Sequence, residues 1–342
     1  MTLLGEFKGI DVEARVWDLD PSAARVDTID VALRNKLAGS LTYLAEATCL
    51  DASHHAMLVS IEDRLRSGPV SPWVFCLYSK LVAELAKPSS SDVSGDFTGI
   101  GQAAVLPAES GVVALRAPII PEPWWDHAQL LFDTDRKRPF RPKAPSGDAS
   151  ALCRQDIEAG LALLAQADPV WHQEVRSLIK LIVLSAPTSP HLDAQFNGAS
   201  TFFFWGAALI NGDIRRSSIS MIDLLVHESS HLLLFGISAD GALLKNSGHE
   251  RHQSPLRHDT RPIDGIFHAC FVATRVHLAL SRMLASGALS DEEAKRAIDR
   301  AQSNGHAARN ALDELDRYAK PTELGTKVLK TLRAYWTATP AN

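Results

Sequence analysis

The sequence predicts an α+β fold that is mostly helical, and three observations indicate it. Apolar residues recur at helical spacing over much of the 342-residue chain, for example in 28–48 and 72–86. Strand-like segments are few and short, and they include IVLSA at 182–186 and STFFFWGAALI at 200–210. The content of 46% hydrophobic and 22% charged residues excludes a disordered chain, and the lack of any fixed-period repeat argues against a solenoid or propeller.

The first part of the chain, residues 1–145, is predicted to contain helices and a small β element. Short extended segments at 112–120 and 129–135 indicate the β element. A stretch rich in proline and basic residues at 135–150 is typical of an exposed connection. We therefore expect a domain boundary near residue 145 and a second domain over 146–342.

The second domain begins with helical patterns and contains one helix that is apolar almost all round. That segment, 218–235, predicts a buried helix. A polar, histidine-rich loop at 238–264 follows, and the next helix, at about 265–285, is strongly periodic. Further helices are predicted at 151–181, 291–303 and 322–336.

Charge and composition exclude several classes of protein. A net charge of −5 gives no basic surface for nucleic acid, and no uninterrupted apolar run of about 18 residues predicts a membrane span. Residues 1–11 lack the basic and apolar regions of a secretory signal, so we expect a cytoplasmic protein. The cysteines form no C-x-x-C pair and are expected to be buried free thiols: Cys49, Cys76, Cys153 and Cys270.

The segment VHESSHL at 226–232 carries the first functional signal. His227 and His231 are four residues apart on a predicted helix, so both imidazoles project from one face and can reach one metal ion. Two hydrogen-bonded histidines on a surface helix are the alternative. Apolar residues on both sides of the motif would then bury two imidazoles and the carboxylate of Glu228 without evident partners, which favours a metal site.

The third ligand decides the chemistry. Metzincin proteases are excluded because Leu234 and Ile237 occupy the positions of their Gly and third His. A thermolysin-like site needs a carboxylate from the next helix, but 265–290 contains no Asp or Glu. The expected donor is therefore His268, for which the alternative is a core histidine bonded to a carbonyl. His277, two and a half turns further on, is expected to face elsewhere.

At this point the sequence resembles a known family, the HExxH-type 2-oxoglutarate-dependent peptide β-hydroxylases. The resemblance lies in LLVHESSHLLL, in HQSPLRHDTRPIDGIFHACF with its S-P-x-R…R-P-x-D-G-x-x-H pattern, and more weakly in FNGASTFFFWGAALIN. It covers roughly residues 197–285. The first 145 residues lie outside it.

The resemblance implies an iron(II) centre held by His227, His231 and His268, with 2-oxoglutarate chelating the metal and O₂ taking the remaining position. Three neutral imidazoles leave the metal's full charge for the 2-oxoglutarate dianion. The distal carboxylate of 2-oxoglutarate usually needs a guanidinium, and Arg257 and Arg261 are the candidates. Alternatively, both arginines belong to an exposed basic loop with no role in binding. Arg275 is a reserve candidate for the same role.

Each of three carboxylates near these ligands has two possible roles. Glu228 would be the general base of a zinc hydrolase, whereas in an oxygenase it would orient a ligand or contact substrate. Asp223 and Asp264 each precede a proposed ligand by one turn and could accept its imidazole N–H, or could cap a helix.

We expect domain 146–342 to be the catalytic, metal-binding part and 1–145 to help select the substrate. The expected reaction is hydroxylation of a C–H, the β-carbon of a residue in a ribosomally made precursor peptide, with succinate and CO₂ as co-products. Alternatives are a zinc metallopeptidase with Glu228 as base and a non-catalytic peptide-binding partner in a modification complex. The loop histidines His249, His252 and His258 are expected to be solvated. A strand over 202–210 could pair with an extended peptide.

Overall fold

The computed structural model describes residues 16–47, 51–87, 93–133, 139–188, 196–253 and 260–339. Over these residues the chain is mostly helical with two small sheets, which confirms the predicted α+β class. The helices are α1 (Ala23–Ala47), α2 (Ala52–Ser67), α3 (Pro72–Leu85), α4 (Ser94–Ala104), α5 (Glu122–Phe132), α6 (Gly147–Ala167), α7 (Pro169–Leu178), α8 (Ser218–Ile237), α9 (Ile263–Ser286), α10 (Asp291–Tyr318) and α11 (Glu323–Ala338). The strands are β1 (Gly111–Ala114), β2 (Pro142–Lys143), β3 (Leu181–Pro187), β4 (Gly198–Ser200), β5 (Ala207–Asn211), β6 (His252–Gln253) and β7 (Thr260–Arg261).

The larger sheet has the order β1-β3-β5-β4, with β2 paired to the far end of β3. β1, β3 and β5 are parallel, and β4 is antiparallel to β5. β3 and β5 are buried along almost their whole length, which explains their continuous apolar sequences. Among the described residues β4 pairs only with β5, so it forms an edge of this sheet.

One predicted extended segment is wrong, and a second is correct only in part. Residues 129–135 include the end of helix α5, which starts with Pro123 in its first turn and buries Trp124, Trp125, Ala128 and Phe132 at helical spacing. The predicted strand at 200–210 is interrupted, because Phe202–Phe204 forms a 3-10 turn and Gly206 adopts a left-handed φ of 87°. The strand that follows, β5, lies inside the sheet, and β4 is the edge.

Both predicted domains contribute to the larger sheet. β1, from the first 145 residues, pairs with β3 from the later part. α1 likewise spans two apolar clusters, since Ile29 and Leu33 belong to the cluster that contains α8 and α9 while Leu37 and Leu41 belong to the one that contains α3 and α4. The boundary near residue 145 stays a prediction.

α8 and α9 form the centre of the C-terminal core. Ser217 caps α8 by accepting a hydrogen bond from the Ser220 amide, and α9 ends at Gly287 in the left-handed region. α9 is long and apolar enough to cross a membrane, but 67% of its most apolar window is buried inside the protein, as in the core helix of a soluble protein. The described cysteines are buried free thiols, as expected, and burial raises the pKa of each: Cys76, Cys153 and Cys270. Cys49 lies outside the described residues.

Candidate metal centre

A stripe of partly exposed residues runs along the C-terminal part of α8. From residue 221 to residue 237 every side chain is buried except His227, His231 and Phe235, which are each one turn apart. The other residues of this segment pack into the core on all sides, as the nearly all-apolar pattern predicts. This part of the helix therefore presents the two motif histidines on its partly open face.

His268 of α9 lies beside this stripe. The ring centroids of His227 and His231 are 4.9 Å apart, and those of His231 and His268 are 5.8 Å apart with the planes inclined by only 22°. The Phe235 ring lies 5.1 Å from His268 and 6.2 Å from His231. The fold thus brings the three histidines together, with an aromatic ring beside two of them.

The spacing of the rings can be compared with that of a metal centre. Imidazole nitrogens about 2.1 Å from a metal, at angles of about 90–109°, give ring centroids about 4.5–5.2 Å apart. The first pair lies in this range, and the second lies about half an ångström beyond it. In the described part of the chain no group of three His, Cys, Asp or Glu side chains is placed so that it could hold a metal ion as it stands. The three imidazoles are of the chemical type that binds metals, and the rings of His231 and His268 lie farther apart than in a formed site.

Burial keeps the three imidazoles neutral. It lowers the pKa of His227 to about 4 and that of His231 well below its usual value, with the neighbouring imidazoles as a further cause for His231. It also lowers the pKa of His268, although Asp264 opposes this effect. Neutral imidazole is the form that binds metals, so the cluster is ready to act as a ligand set at neutral pH.

Glu228 contacts the edge strand β4. Its Oε2 accepts a hydrogen bond of 2.8 Å from Ser200 Oγ. The strand backbone passes so close that a methyl group added at Gly198 would lie 2.6 Å from Oε1. Burial raises the pKa of Glu228 to about 7 despite the hydrogen bond from Ser200. The carboxyl group therefore links the histidine helix to β4.

The two aspartates have different surroundings. Asp223 accepts a 3.0 Å bond from Arg300 of α10, so its carboxylate is paired with a guanidinium and not with an imidazole. Asp264 lies 4.0 Å from Nε2 of His268 and is 63% exposed. Pro262 is the cap residue of α9, and no side-chain cap bond is formed there. Of the two, Asp264 is the one that faces an imidazole.

The candidate arginines fall into three situations. Arg257 lies outside the described residues. Arg261 is in β7, which pairs with β6 and leads directly into α9, and its side chain is partly buried. Arg275 is fully buried, and all three of its guanidinium nitrogens donate to protein groups, so it is not available to 2-oxoglutarate.

Two histidines outside the cluster are held by aromatic residues. His277 is bonded through Nδ1 to the Tyr335 hydroxyl at 2.6 Å, and it faces α11 as expected. The prediction that His252 is solvated is wrong, because it is only 15% exposed and its ring lies against Tyr318 with the centroids 4.5 Å apart. His249 is exposed, and His258 lies outside the described residues.

No protein family and no curated protein matches the sequence of this chain. Phe235 and Ser200 lie beside the motif residues although the sequence motifs do not include them. Phe235 could have been found because it continues the spacing of His227 and His231 by one more turn. Ser200 carries no such signal, since only the packing of β4 on α8 brings it to Glu228.

Proposed function

We propose that the chain is an iron(II)- and 2-oxoglutarate-dependent oxygenase that hydroxylates a C–H, the β-carbon of a residue in a ribosomally made peptide. The observation that carries this proposal is the grouping of three neutral imidazoles from His227, His231 and His268. Bound iron would supply oxidation by O₂, with one oxygen atom entering the product hydroxyl and the other entering succinate as 2-oxoglutarate loses CO₂.

Charge favours 2-oxoglutarate as the co-substrate. Three neutral imidazoles add no negative charge to a divalent metal, so a dianionic chelator balances the site. In the usual triad of two histidines and a carboxylate the protein supplies part of that charge itself. Arg261 is the proposed partner of the distal carboxylate, because it lies on the short strand that enters the His268 helix. Arg257 stays a second candidate from the sequence.

The contacts of Glu228 favour an orienting role for this residue. A general base in a hydrolase must reach the metal-bound water. The described contacts of the Glu228 carboxyl are with Gly198 and Ser200 of β4, and the residue is only 2% exposed. We assign Glu228 the role of holding β4 against α8.

The position of β4 favours an extended peptide as substrate. An extended chain can add to the edge of a sheet through main-chain hydrogen bonds. β4 is such an edge, and its Ser200 contacts the residue next to His227. A peptide that paired with β4 would therefore run past the histidine cluster.

The decisive experiment is metal analysis of protein purified without oxygen, followed by a 2-oxoglutarate turnover assay with and without O₂. We expect about one iron per chain and succinate formation that requires both iron and O₂. Zinc-dependent peptide hydrolysis under argon would replace this proposal with a metallopeptidase. Peptide binding with neither activity would indicate a non-catalytic partner.

A further inference from the structure

A polar cluster lies at the buried end of the interface between α8 and α9. Arg275 is fully buried, and its Nε donates to Ser230 Oγ at 3.1 Å while its Nη2 is paired with Glu174 of α7. Its Nη1 donates to the Leu19 carbonyl at 2.7 Å, and its guanidinium lies 4.4 Å over the Trp171 ring. One side chain therefore joins α9 to α7, to α8 and to the segment before α1.

This cluster and the histidines occupy the same interface. Arg275 follows His268 by seven residues, which places it two turns deeper on the same face of α9. Its partner Ser230 directly precedes His231 on α8. The contacts between α8 and α9 thus include the paired rings of His231 and His268 near the surface and the Ser230–Arg275 bond in the interior.

Burying the charge of Arg275 is costly, and what it adds to the interface is directional hydrogen bonding. A buried ion pair often stabilises a fold no better than apolar side chains of the same size. Burial lowers the pKa of Arg275 to about 10, although Glu174 opposes this effect. Apolar packing is non-directional, so it can tolerate a small slide of one helix along the other. Hydrogen bonds from a planar guanidinium are directional, so they allow only one relative position of the two helices. A slide by one residue would move one helix about 1.5 Å along the other.

We propose that Arg275 is a positioning residue of the histidine cluster, which holds α9 against α8 in the register that places His268 beside His231. This inference rests on the metal site of the proposed function. Metal–ligand distances tolerate only about 0.2 Å, so a register error in α9 would remove His268 from the ligand set.

The test uses Co(II) alone as a probe of the full chain, because its visible absorption reports the coordination geometry. Arg275→Met removes the directed bonds and keeps an apolar side chain of similar length, while Glu174 keeps its bond to Arg25. Arg282→Met is the matched control, because Arg282 is on the same helix and is paired with Asp168 and Asp20. Ser230→Ala removes a single bond of the cluster and tests the same contact if Arg275→Met does not fold.

We expect Arg275→Met to weaken Co(II) binding about 10–100-fold and to change the absorption bands, while Arg282→Met keeps the parent spectrum. Ser230→Ala is expected to change the spectrum in the same direction by less. A folded Arg275→Met with the parent's affinity and spectrum would overturn the positioning role, as would equal losses in Arg275→Met and Arg282→Met. If Arg275→Met is unfolded, a Ser230→Ala variant with the parent's spectrum would overturn the positioning role. A parent protein that binds no Co(II) would overturn the proposed metal site as well.

Discussion

Ser200 Oγ donates a 2.8 Å hydrogen bond to Oε2 of Glu228, and this bond joins the edge strand β4 to the helix that carries His227 and His231. The carboxyl group of the H-E-x-x-H motif is therefore hydrogen-bonded to a residue of this strand. In the proposed function the motif residues therefore have separate roles, with the histidines as ligands and the glutamate as a support for β4.

Replacing any of His227, His231 or His268 with Ala should reduce iron from about one per chain to a trace, because two imidazoles hold the metal much less tightly than three. His277→Ala is the control, since His277 is bonded to Tyr335 and should keep full iron. The measurement is elemental analysis of protein purified without oxygen. Full iron in His268→Ala would transfer the third-ligand role to another residue.

Glu228→Gln should keep most of the 2-oxoglutarate consumption, because the amide preserves the shape and can still accept the bond from Ser200. A peptidase would instead lose about 10²–10⁴-fold of its turnover with its general base. The readout is succinate and hydroxylated product formed by the parent and the variant. Peptide hydrolysis under argon that needs zinc and is abolished by Glu228→Gln would contradict the oxygenase.

Gly198→Ala should destabilise the protein by about 1–3 kcal/mol, because the added methyl would lie 2.6 Å from Glu228 Oε1 and 3.0 Å from Leu224 Cδ1. Gly147→Ala is the matched control, because its added methyl meets nothing within 4 Å. Urea unfolding of both variants checks the difference. Equal stability of the two would show that β4 can move away from α8 at little cost.

Arg261→Ala should weaken 2-oxoglutarate binding by about 2–5 kcal/mol if Arg261 pairs with the distal carboxylate, because the carboxylate would be left without its charged partner. Arg257→Ala is measured beside it, and Arg176→Ala, whose guanidinium pairs with Glu109 on the surface, is the control. Titration of the iron-loaded protein with 2-oxoglutarate gives the affinities. Parental affinity in both Arg261→Ala and Arg257→Ala would remove both arginines from the site.

Asp30→Asn should destabilise the protein by about 3–5 kcal/mol near neutral pH, because it leaves Lys180 and Arg34 without their buried carboxylate. Burial alone would raise the pKa of Asp30, but the bonds from Lys180, Trp205 and Arg34 outweigh it and lower the pKa overall. The carboxylate therefore stabilises the fold above its unfolded pKa of about 3.9, and this contribution is lost as the pH falls through the folded pKa. The difference between parent and variant in urea unfolding should shrink from pH 7 to pH 3. A constant difference would contradict the ion pair as its source.

Local patterns allowed part of this fold to be predicted. The apolar periodicities of α1, α3, α8 and α9 identified these helices, because one face or the whole helix is buried. The segment 129–135 has too few apolar residues to show a helical pattern by itself. The helical spacing of buried residues in α5 is evident only when Trp124 and Trp125 are included. The segment 200–210 is a continuous strand only from Ala207 onward, because a 3-10 turn and the left-handed Gly206 interrupt it.

The sequence by itself determined the i, i+4 pair of His227 and His231, because both lie on one helix whose geometry is local. It also indicated His268, through the lack of acidic residues in 265–290. Only the tertiary structure decided that the ring of His268 lies beside His231 and that Glu228 contacts Ser200. It also decided that Arg275 bonds to buried protein groups and is not available to a co-substrate. Each of these depends on how separate elements pack, and a side chain's partner across such an interface leaves no periodic signal in the chain.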